Sequence, residues 1–273
     1  LALSWTIAEL LGFYLVGVGE RHSIEGSTRA SKRFLFVSSL TFELSLFTLI
    51  YVSIFMLATI VVSVEDIVGA LLKPFQALVE NKAYAPTYTL PLLTIGFLAK
   101  SAILPLHFWL PDAHSVAPAP ASALLSGVMT SMGLYGFYRL LSITYCPDQQ
   151  LLYTVLLVLG LVSIVYGGLQ AYVQRDGKRF LAYSTIACNG FSLTMLVYYM
   201  YSGSVTAFTA FLLAVAAHMG YKTTLFLDIG LAEQVTGLRL LHRLRGLSHI
   251  LPYASIGGLL ALFSVLGVPP TTG

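Results

Sequence analysis

The sequence predicts an all-α, polytopic bundle of transmembrane helices, and three observations indicate this fold class. Hydrophobic residues make up 57% of the 273 residues and charged residues only 10%, whereas soluble domains carry about 25% charged residues. Several uncharged stretches reach the roughly 20 residues that a helix needs to cross the hydrocarbon core. The alternating pattern of an outer-membrane barrel is missing, so helices are the structure that satisfies the backbone in lipid.

We predict about eight spans within a single transmembrane domain, residues 1–273. Their approximate limits are 1–19, 34–62, 88–106, 118–141, 151–173, 180–200, 205–230 and 251–266. The chain begins with Leu1 rather than methionine and stops at Gly273 in the middle of an element. We therefore expect a section of a longer subunit, or a shortened one.

The connecting loops differ strongly in charge between the two sides of the predicted bundle. Ten lysines and arginines lie in the loops 20–33, 107–117, 174–179 and 231–249. The loops on the opposite side carry only Lys73 and Lys82. Basic loops remain in the cytoplasm, so we predict that these four loops are cytoplasmic. The charges of 174–179 are interpreted as a simple anchor, and the distribution argues against binding to nucleic acid.

Lys100 is the most unusual residue of the predicted spans. An ionisable side chain in mid-membrane costs at least about 2.5–3.5 kcal/mol, so it persists where it is paired, hydrated or functional. Pro105 follows and removes a helical hydrogen bond, and a broken helix beside an ionisable group is typical of membrane ion sites. His107, seven residues after Lys100, is expected on the same helical face. The alternative is a lysine that is paired with a carboxylate purely for packing.

Three further ionisable residues are candidates for an ion route. Glu9 is the one acid of the first span and a natural partner for Lys100, since a nearby carboxylate favours a charged lysine; a structural ion pair is the alternative. His218 and Lys222 lie four residues apart and share a helical face. Histidine suits proton transfer because its usual pKa is near neutrality, although a membrane histidine also serves as a packing hydrogen bonder.

Weaker candidates complete the predicted polar set. Glu43 is a candidate for a lateral link or a helix–helix contact. Polar residues of the fourth span either line a wetted path or form close helix contacts; they are Ser122, Ser126, Thr130 and Ser131. The two cysteines form no CxxC motif and no histidine has metal-ligand spacing, so we predict no metal and no cofactor. The sequence also has no glycine-rich phosphate-binding loop and no nucleophile elbow, so we predict no covalent chemistry in this chain.

Four segments resemble the antiporter-like subunits of respiratory complex I, energy-converting membrane-bound hydrogenases and multi-subunit Na⁺/H⁺ antiporters. They are GFLAKSAILPLHFWLPDAHSVAPAPASALLSGVM, QAYVQRDGKRFLAYSTIACNGF, HMGYKTTLFLDIG and LPYASIGGLLALFSVLGVPPTTG. The resemblance covers nearly the whole chain in the family's order. It implies an inverted-repeat fold of about fourteen helices with a broken helix in each repeat, of which this chain would contain the fifth to roughly the twelfth helix.

The resemblance also implies roles for individual residues. Glu9 and Lys100 match the family's gating pair, and His218 and Lys222 match its central polar axis. The cytoplasmic end of the broken helix would contain His107, Asp112 and His114. Two departures matter: Ser131 stands where most members carry a lysine, and the family's terminal lysine or glutamate lies beyond Gly273.

The leading hypothesis is a proton-translocating, or sodium-translocating, subunit without a redox centre of its own. It would sit in a prokaryotic cell membrane and contact the lipid bilayer, other membrane subunits and peripheral redox subunits. Its complex would be an energy-converting hydrogenase or a complex I-like NADH dehydrogenase. The alternatives are a subunit of a multi-subunit Na⁺/H⁺ antiporter and a non-conducting structural spacer.

Overall fold

A computed structural model describes residues 2–18, 28–37, 43, 89–143, 150–244, 246–269 and 271. The described helices are α1 (Ala2–Gly17), α2 (28–37), α3 (Thr89–Lys100), α4 (Trp109–Val116), α5 (Ala119–Leu124), α6 (Thr130–Ile143), α7 (Gln150–Val173), α8 (Gly177–Ser202), α9 (Val205–Thr236), α10 (Leu247–Ile250) and α11 (Pro252–Val265). A π-helical turn, Leu125–Met129, joins α5 to α6. This part of the chain contains no β-strand, as the predicted fold class requires.

Three of the described helices, α7, α8 and α9, are long and apolar enough to cross a membrane. Shorter apolar helices occur at Ile7–Gly17 and in α11. The predicted fifth and eighth spans begin and end within one residue of α7 and α11. The count of eight spans stays a prediction, because most of the second span, 34–62, lies outside the described residues.

The seventh span is longer than predicted. We expected it to end near Gly230, but α9 continues to Thr236 and ends only at Gly237, which adopts φ 66°. The left-handed region suits glycine and ends the helix there. The polar residues after Gly230 mark the end of the apolar stretch rather than the end of the helix, which is why composition alone placed the limit too early.

Helix α8 occupies the centre of the described bundle. Within its most apolar window 61% of the residues are buried, against 28% in α7 and in α9, and it packs along both of these helices. Asp176 caps its first turn by accepting a hydrogen bond from the Arg179 backbone N–H at 3.0 Å, which satisfies one of the free donors of a helix start. Gly203, at φ 68°, ends the helix.

Helices α7 and α8 approach each other at glycines. A Cβ atom at Gly167 would lie 2.6 Å from the Ala187 backbone nitrogen and 2.9 Å from the Tyr183 carbonyl oxygen. A Cβ atom at the neighbouring Gly168 would meet nothing within 4 Å. Close backbone contact between membrane helices is commonly built on such small residues.

This adjacent pair of glycines provides a matched test of the contact. We expect Gly167→Ala to destabilise the protein by about 1–3 kcal/mol, because backbone atoms must move apart to admit the methyl group. Gly168→Ala should be neutral or slightly stabilising, since alanine favours the helix. Thermal unfolding of the detergent-solubilised protein measures both, and equal stability of the two variants would contradict the close packing.

The third predicted span is interrupted, as Pro105 predicts. Helix α3 ends at Lys100, and regular helix resumes with α4 at Trp109. Within the break Ala102 adopts φ 52°, a left-handed conformation that side chains other than glycine seldom take. Helical periodicity therefore does not extend from Lys100 to His107, and the expectation of a shared helical face between them is wrong.

Candidate functional site

A buried ion pair joins α1 to the broken helix. Lys100, the last residue of α3, places its Nζ 3.0 Å from Glu9 Oε1, and each side chain is only 2% exposed. Water screens such a pair poorly, so each charge depends strongly on the other. Neutralising or moving one member leaves the other as a buried charge without its counter-ion, which is unfavourable.

The helix break beside this pair is held by side chains of neighbouring helices. Pro105 has no N–H and cannot bond to Ser101 O, four residues earlier; Asn189 Nδ2 donates to that carbonyl instead, at 2.8 Å. Trp109 Nε1 donates to Ala99 O at 2.9 Å. These carbonyl groups therefore have hydrogen-bond partners on neighbouring residues, and the helix break beside Lys100 has a defined conformation.

A line of polar groups leads from the ion pair towards α9. Asn189 donates a hydrogen bond to Ser101 O, and Thr185 lies one turn before Asn189 on α8. Thr185 Oγ1 lies 2.8 Å from Ser126 Oγ, and Ser126 O lies 3.3 Å from His218 Nε2. All five residues are at most 2% exposed. Ser101 Oγ has no hydrogen-bond partner among the described atoms, which is unusual for a buried hydroxyl.

The π-helical turn makes the contact with His218 possible. The Thr130 N–H donates to Leu125 O, so the regular pattern is displaced by one residue at this point. Ser126 O accepts from Thr130 Oγ1 at 2.6 Å and faces His218 Nε2. Tyr221 lies on the other side of the imidazole, with its hydroxyl 3.4 Å from Nδ1. Such π-helical turns occur frequently at functional sites.

Lys222 is fully buried. Its Nζ donates to Leu181 O at 3.1 Å and to Ser184 Oγ. Among the described residues no carboxylate lies within ion-pair distance of this ammonium group. Two neutral oxygens compensate the loss of hydration only in part, so Lys222 is an energetically costly residue in this position.

His114 lies in α4 and is also fully buried. Its ring stacks on Phe226 with a centroid separation of 4.6 Å, and neither ring nitrogen has a hydrogen-bond partner in the described part of the chain. Phe226 belongs to α9, the helix that also carries His218 and Lys222. The structure thus gathers His114, His218 and Lys222 around α9, as a second buried group of predicted residues.

The other predicted residues lie at the surface or serve as helix contacts. Asp112 forms ion pairs with Arg33 and with Arg179 Nη2 at 3.5 Å. His107 is partly buried in the break and packs edge-on against Tyr166. Of the weaker candidates, Glu43 lies at the surface. Ser131 is a helix contact, since it is 4% exposed and donates to Gly127 O at 2.8 Å.

A third charged group was missed at the level of sequence. The sequence predicts that Lys178 is part of a loop anchor, but its side chain is only 4% exposed and its Nζ lies 3.0 Å from Glu233 Oε2. Arg239 Nε lies 2.6 Å from the other carboxylate oxygen, Oε1. Glu233 and Arg239 fell in a segment that was expected to be a loop. The basic residues of that loop indicate that ion pairs form there, but they do not indicate which acidic residue is the partner.

Comparison with known proteins identifies relatives over almost the whole chain. Residues 2–273 match the family model described as NADH:quinone oxidoreductase/Mrp antiporter, transmembrane. The chain is 35% identical over 203 residues to an NAD(P)H-quinone oxidoreductase chain 4 of Picosynechococcus sp., a match that covers 74% of this chain and 36% of the relative. It is 36% identical over 196 residues to the Na⁺/H⁺ antiporter subunit A1 of Staphylococcus aureus, covering 68% of this chain and 24% of that one.

Two solved structures share the fold. A chain of the archaeal membrane-bound sulfane sulfur reductase superposes with a TM-score of 0.77 at 21% identity, over 98% of this chain and 52% of that one. A chain of the Mrp complex from Dietzia sp. superposes with a TM-score of 0.74 at 22% identity, over 90% and 43% respectively. The chain therefore spans about half the length of these structures and about a third or less of the two sequence relatives.

Proposed function

The chain belongs to the NADH:quinone oxidoreductase/Mrp antiporter transmembrane family, and on this basis we propose that it is an ion-translocating subunit of a redox-driven membrane complex. The proposed ion is the proton, with sodium as the alternative. Neighbouring membrane subunits and peripheral redox subunits, as in an energy-converting hydrogenase or a complex I-like NADH dehydrogenase, would supply the energy. The relatives are themselves subunits of multi-subunit membrane complexes, which supports this assignment.

The observation that carries the proposal is the buried Glu9–Lys100 pair beside a helix break, with a polar line leading away from it. Buried ionisable groups in a membrane protein are costly and are therefore associated with function. The break frees backbone polar groups to bind side chains of neighbouring helices, as at membrane ion sites generally. Ser101 Oγ and the His114 nitrogens, which have no partner among the described residues, are natural contacts for water in such a route.

The pair couples proton movement to electrostatics. A proton on Glu9 removes the attraction that holds the Lys100 ammonium group, which can then turn towards Ser101 and the polar line. A proton released there can pass along the hydroxyl groups of α8 and the π-helical turn towards His218. Each change in charge at one group alters the proton affinity of the next, because the intervening medium screens weakly.

The orientation follows from the charged end of the bundle. Asp112 connects three of the predicted cytoplasmic loops, since it pairs with Arg33 and Arg179. Glu233 of the fourth loop pairs with Lys178 of 174–179. Residues of all four predicted cytoplasmic loops therefore meet at one end of the described bundle. We propose that this end faces the cytoplasm of a prokaryotic cell.

A multi-subunit Na⁺/H⁺ antiporter is the second candidate, favoured by the identity with the Staphylococcus aureus subunit. It would use the same residues without a redox partner, and co-purification of iron–sulfur or nickel–iron subunits distinguishes the two. A non-conducting spacer is the third candidate. It is favoured by Ser131, which places a hydrogen-bonded hydroxyl where an ionisable relay group would stand.

The test compares ion transport in the assembled complex, reconstituted into liposomes, before and after Lys100→Ala. We expect turnover-driven acidification to fall by about tenfold or more, which corresponds to about 1.4 kcal/mol or more in the barrier. Arg243→Ala, which removes an exposed cation at the basic end, should leave transport unchanged. Unchanged pumping by the Lys100 variant would reject the proposed route and favour the spacer.

A further inference from the structure

The missed charged group lies between the surface and the buried residues of the site. Lys178 Nζ contacts Glu233 Oε2 at 3.0 Å and donates to Ala117 O at 3.1 Å. Glu233 also holds Arg239. One carboxylate thus binds two cations, and one buried ammonium group joins the start of α8, the end of α9 and the residue that follows α4. We call Lys178, Glu233 and Arg239 the charged latch.

The charged latch forms part of the wall of a cavity of about 460 Å³ at the basic end of the bundle. The rest of the wall comes from the segment that joins α4 to α5 and from Gly230 and Gln234 of α9. His114 lies three residues before Ala117, is fully buried, and has two ring nitrogens without a partner in the described structure. Lys178 lines this cavity and also donates to the carbonyl of Ala117, three residues beyond the imidazole.

The charged latch consists of two ion pairs that differ in exposure: the Glu233–Arg239 pair is its outer arm and the Lys178–Glu233 pair is its inner arm. Arg239 lies after Gly237, in a segment that is held to the α7–α8 turn by backbone hydrogen bonds. These run from Gly177 N to Arg239 O at 3.3 Å and from Leu241 N to Arg175 O at 3.1 Å. Glu233 and Arg239 are more than a quarter exposed, and solvent weakens such a pair. Lys178 is buried and depends on Glu233 for its charge partner.

We propose that the charged latch is a gate between the cavity and His114. With Lys178 bound to Glu233 and Ala117 O, water in the cavity does not reach the imidazole. When Lys178 separates from Glu233, the ammonium group can turn into the cavity and open a hydrated connection to His114. This inference rests on the proposed function, because it assigns the control of ion access to the same route.

Hydroxyl-radical footprinting of the purified complex measures water access at His114 directly, with the oxidised residues quantified by mass spectrometry. We expect slow oxidation of His114 in the unmodified complex relative to the exposed His242. Glu233→Gln keeps the shape of the side chain but removes its charge, and should raise His114 oxidation by about tenfold, equivalent to about 1.4 kcal/mol. Gln234→Ala, in the same cavity wall, should leave it unchanged.

Arg239→Gln provides a second variant, because it removes only the outer arm and retains the Lys178–Glu233 pair. It should raise His114 oxidation by less than Glu233→Gln does, and it carries the test if the Glu233 variant does not assemble. Unchanged oxidation of His114 in the assembled variants, or rapid oxidation already in the unmodified complex, would overturn the gate.

The measurement needs no turnover and therefore separates the gate from the proposed function. Normal pumping by Lys100→Ala would reject the ion route while the footprinting result stands by itself. Loss of pumping in that variant, together with constant His114 oxidation in the latch variants, would support the route and reject the gate.

Discussion

Lys222→Met is expected to stabilise the assembled complex and to stop ion transport. Methionine has a similar length and no charge, and replacement of buried charges by apolar groups of similar volume is neutral or stabilising by about 1–4 kcal/mol. The gain should be at the upper part of this range, because no described carboxylate compensates the Lys222 charge. Transport should fall because methionine cannot bind or release a proton, and because its uncharged side chain no longer affects the proton affinity of His218 and His114.

The hydrogen-bond pattern around Lys222 makes this prediction sharper. Leu181 O, which accepts from Lys222, also accepts from Ser184 Oγ at 2.9 Å and from Thr185 Oγ1 at 2.8 Å. Removal of the ammonium group therefore leaves this carbonyl with partners, and no new unsatisfied acceptor offsets the gain.

Thermal unfolding and proton pumping of the same preparation check both parts of the prediction. Thr209→Ala, at an exposed position nearer the start of α9, is the control, because its hydroxyl donates to Val205 O of the same helix at 2.9 Å. A Lys222→Met complex that is less stable than the parent would show that the ammonium group is a structural element rather than a residue kept for transport.

Composition and periodicity predicted the parts of this fold that depend on the membrane itself. Helix α7 was placed to within one residue, because an uncharged stretch of that length has a single favourable arrangement in lipid. The Glu9–Lys100 contact was also anticipated, since two opposite charges in neighbouring apolar spans have a strong reason to meet. The first constraint depends on one continuous stretch of sequence and the second on two residues, so both can be recognised without the structure.

The helix break was predicted only in part. Pro105 identified the interrupted span, but the disturbance caused by a proline acts on the carbonyl four residues earlier. Helix α3 accordingly ends at Lys100, and the partner that replaces the lost N–H is Asn189, which is 88 residues away from Ser101. No local pattern indicates a distant amide of this kind, and the false shared face of Lys100 and His107 followed from continuing the helix through the break.

The buried state of Lys178 could not be seen in the sequence for a related reason. Its neighbours Arg175 and Arg179 are basic, and a run of such residues next to a span usually remains at the surface. Only the extension of α9 beyond Gly230 brings Glu233 over Lys178 and covers it. The burial of this lysine is therefore decided by where another helix ends, a limit that composition placed six residues too early.

The two members of the Glu9–Lys100 pair should show strongly non-additive effects on stability. Lys100→Met or Glu9→Gln alone should destabilise the complex by about 3–5 kcal/mol, because each deprives a buried charge of its counter-ion. The combined variant should recover most of that loss, since neither charge then remains. Thermal unfolding of the four complexes gives the coupling energy, and simple addition of the two single effects would contradict a direct pair.

The combined variant also separates structure from transport. If the pair serves only to fasten α1 to the broken helix, a complex that recovers its stability without either charge should also recover pumping. If the pair is part of the ion route, as proposed, the stable combined variant should still fail to pump, because the Glu9 carboxylate and the Lys100 ammonium group, which take up and release the proton, are both removed. Stability and acidification measured on one preparation decide between these two roles.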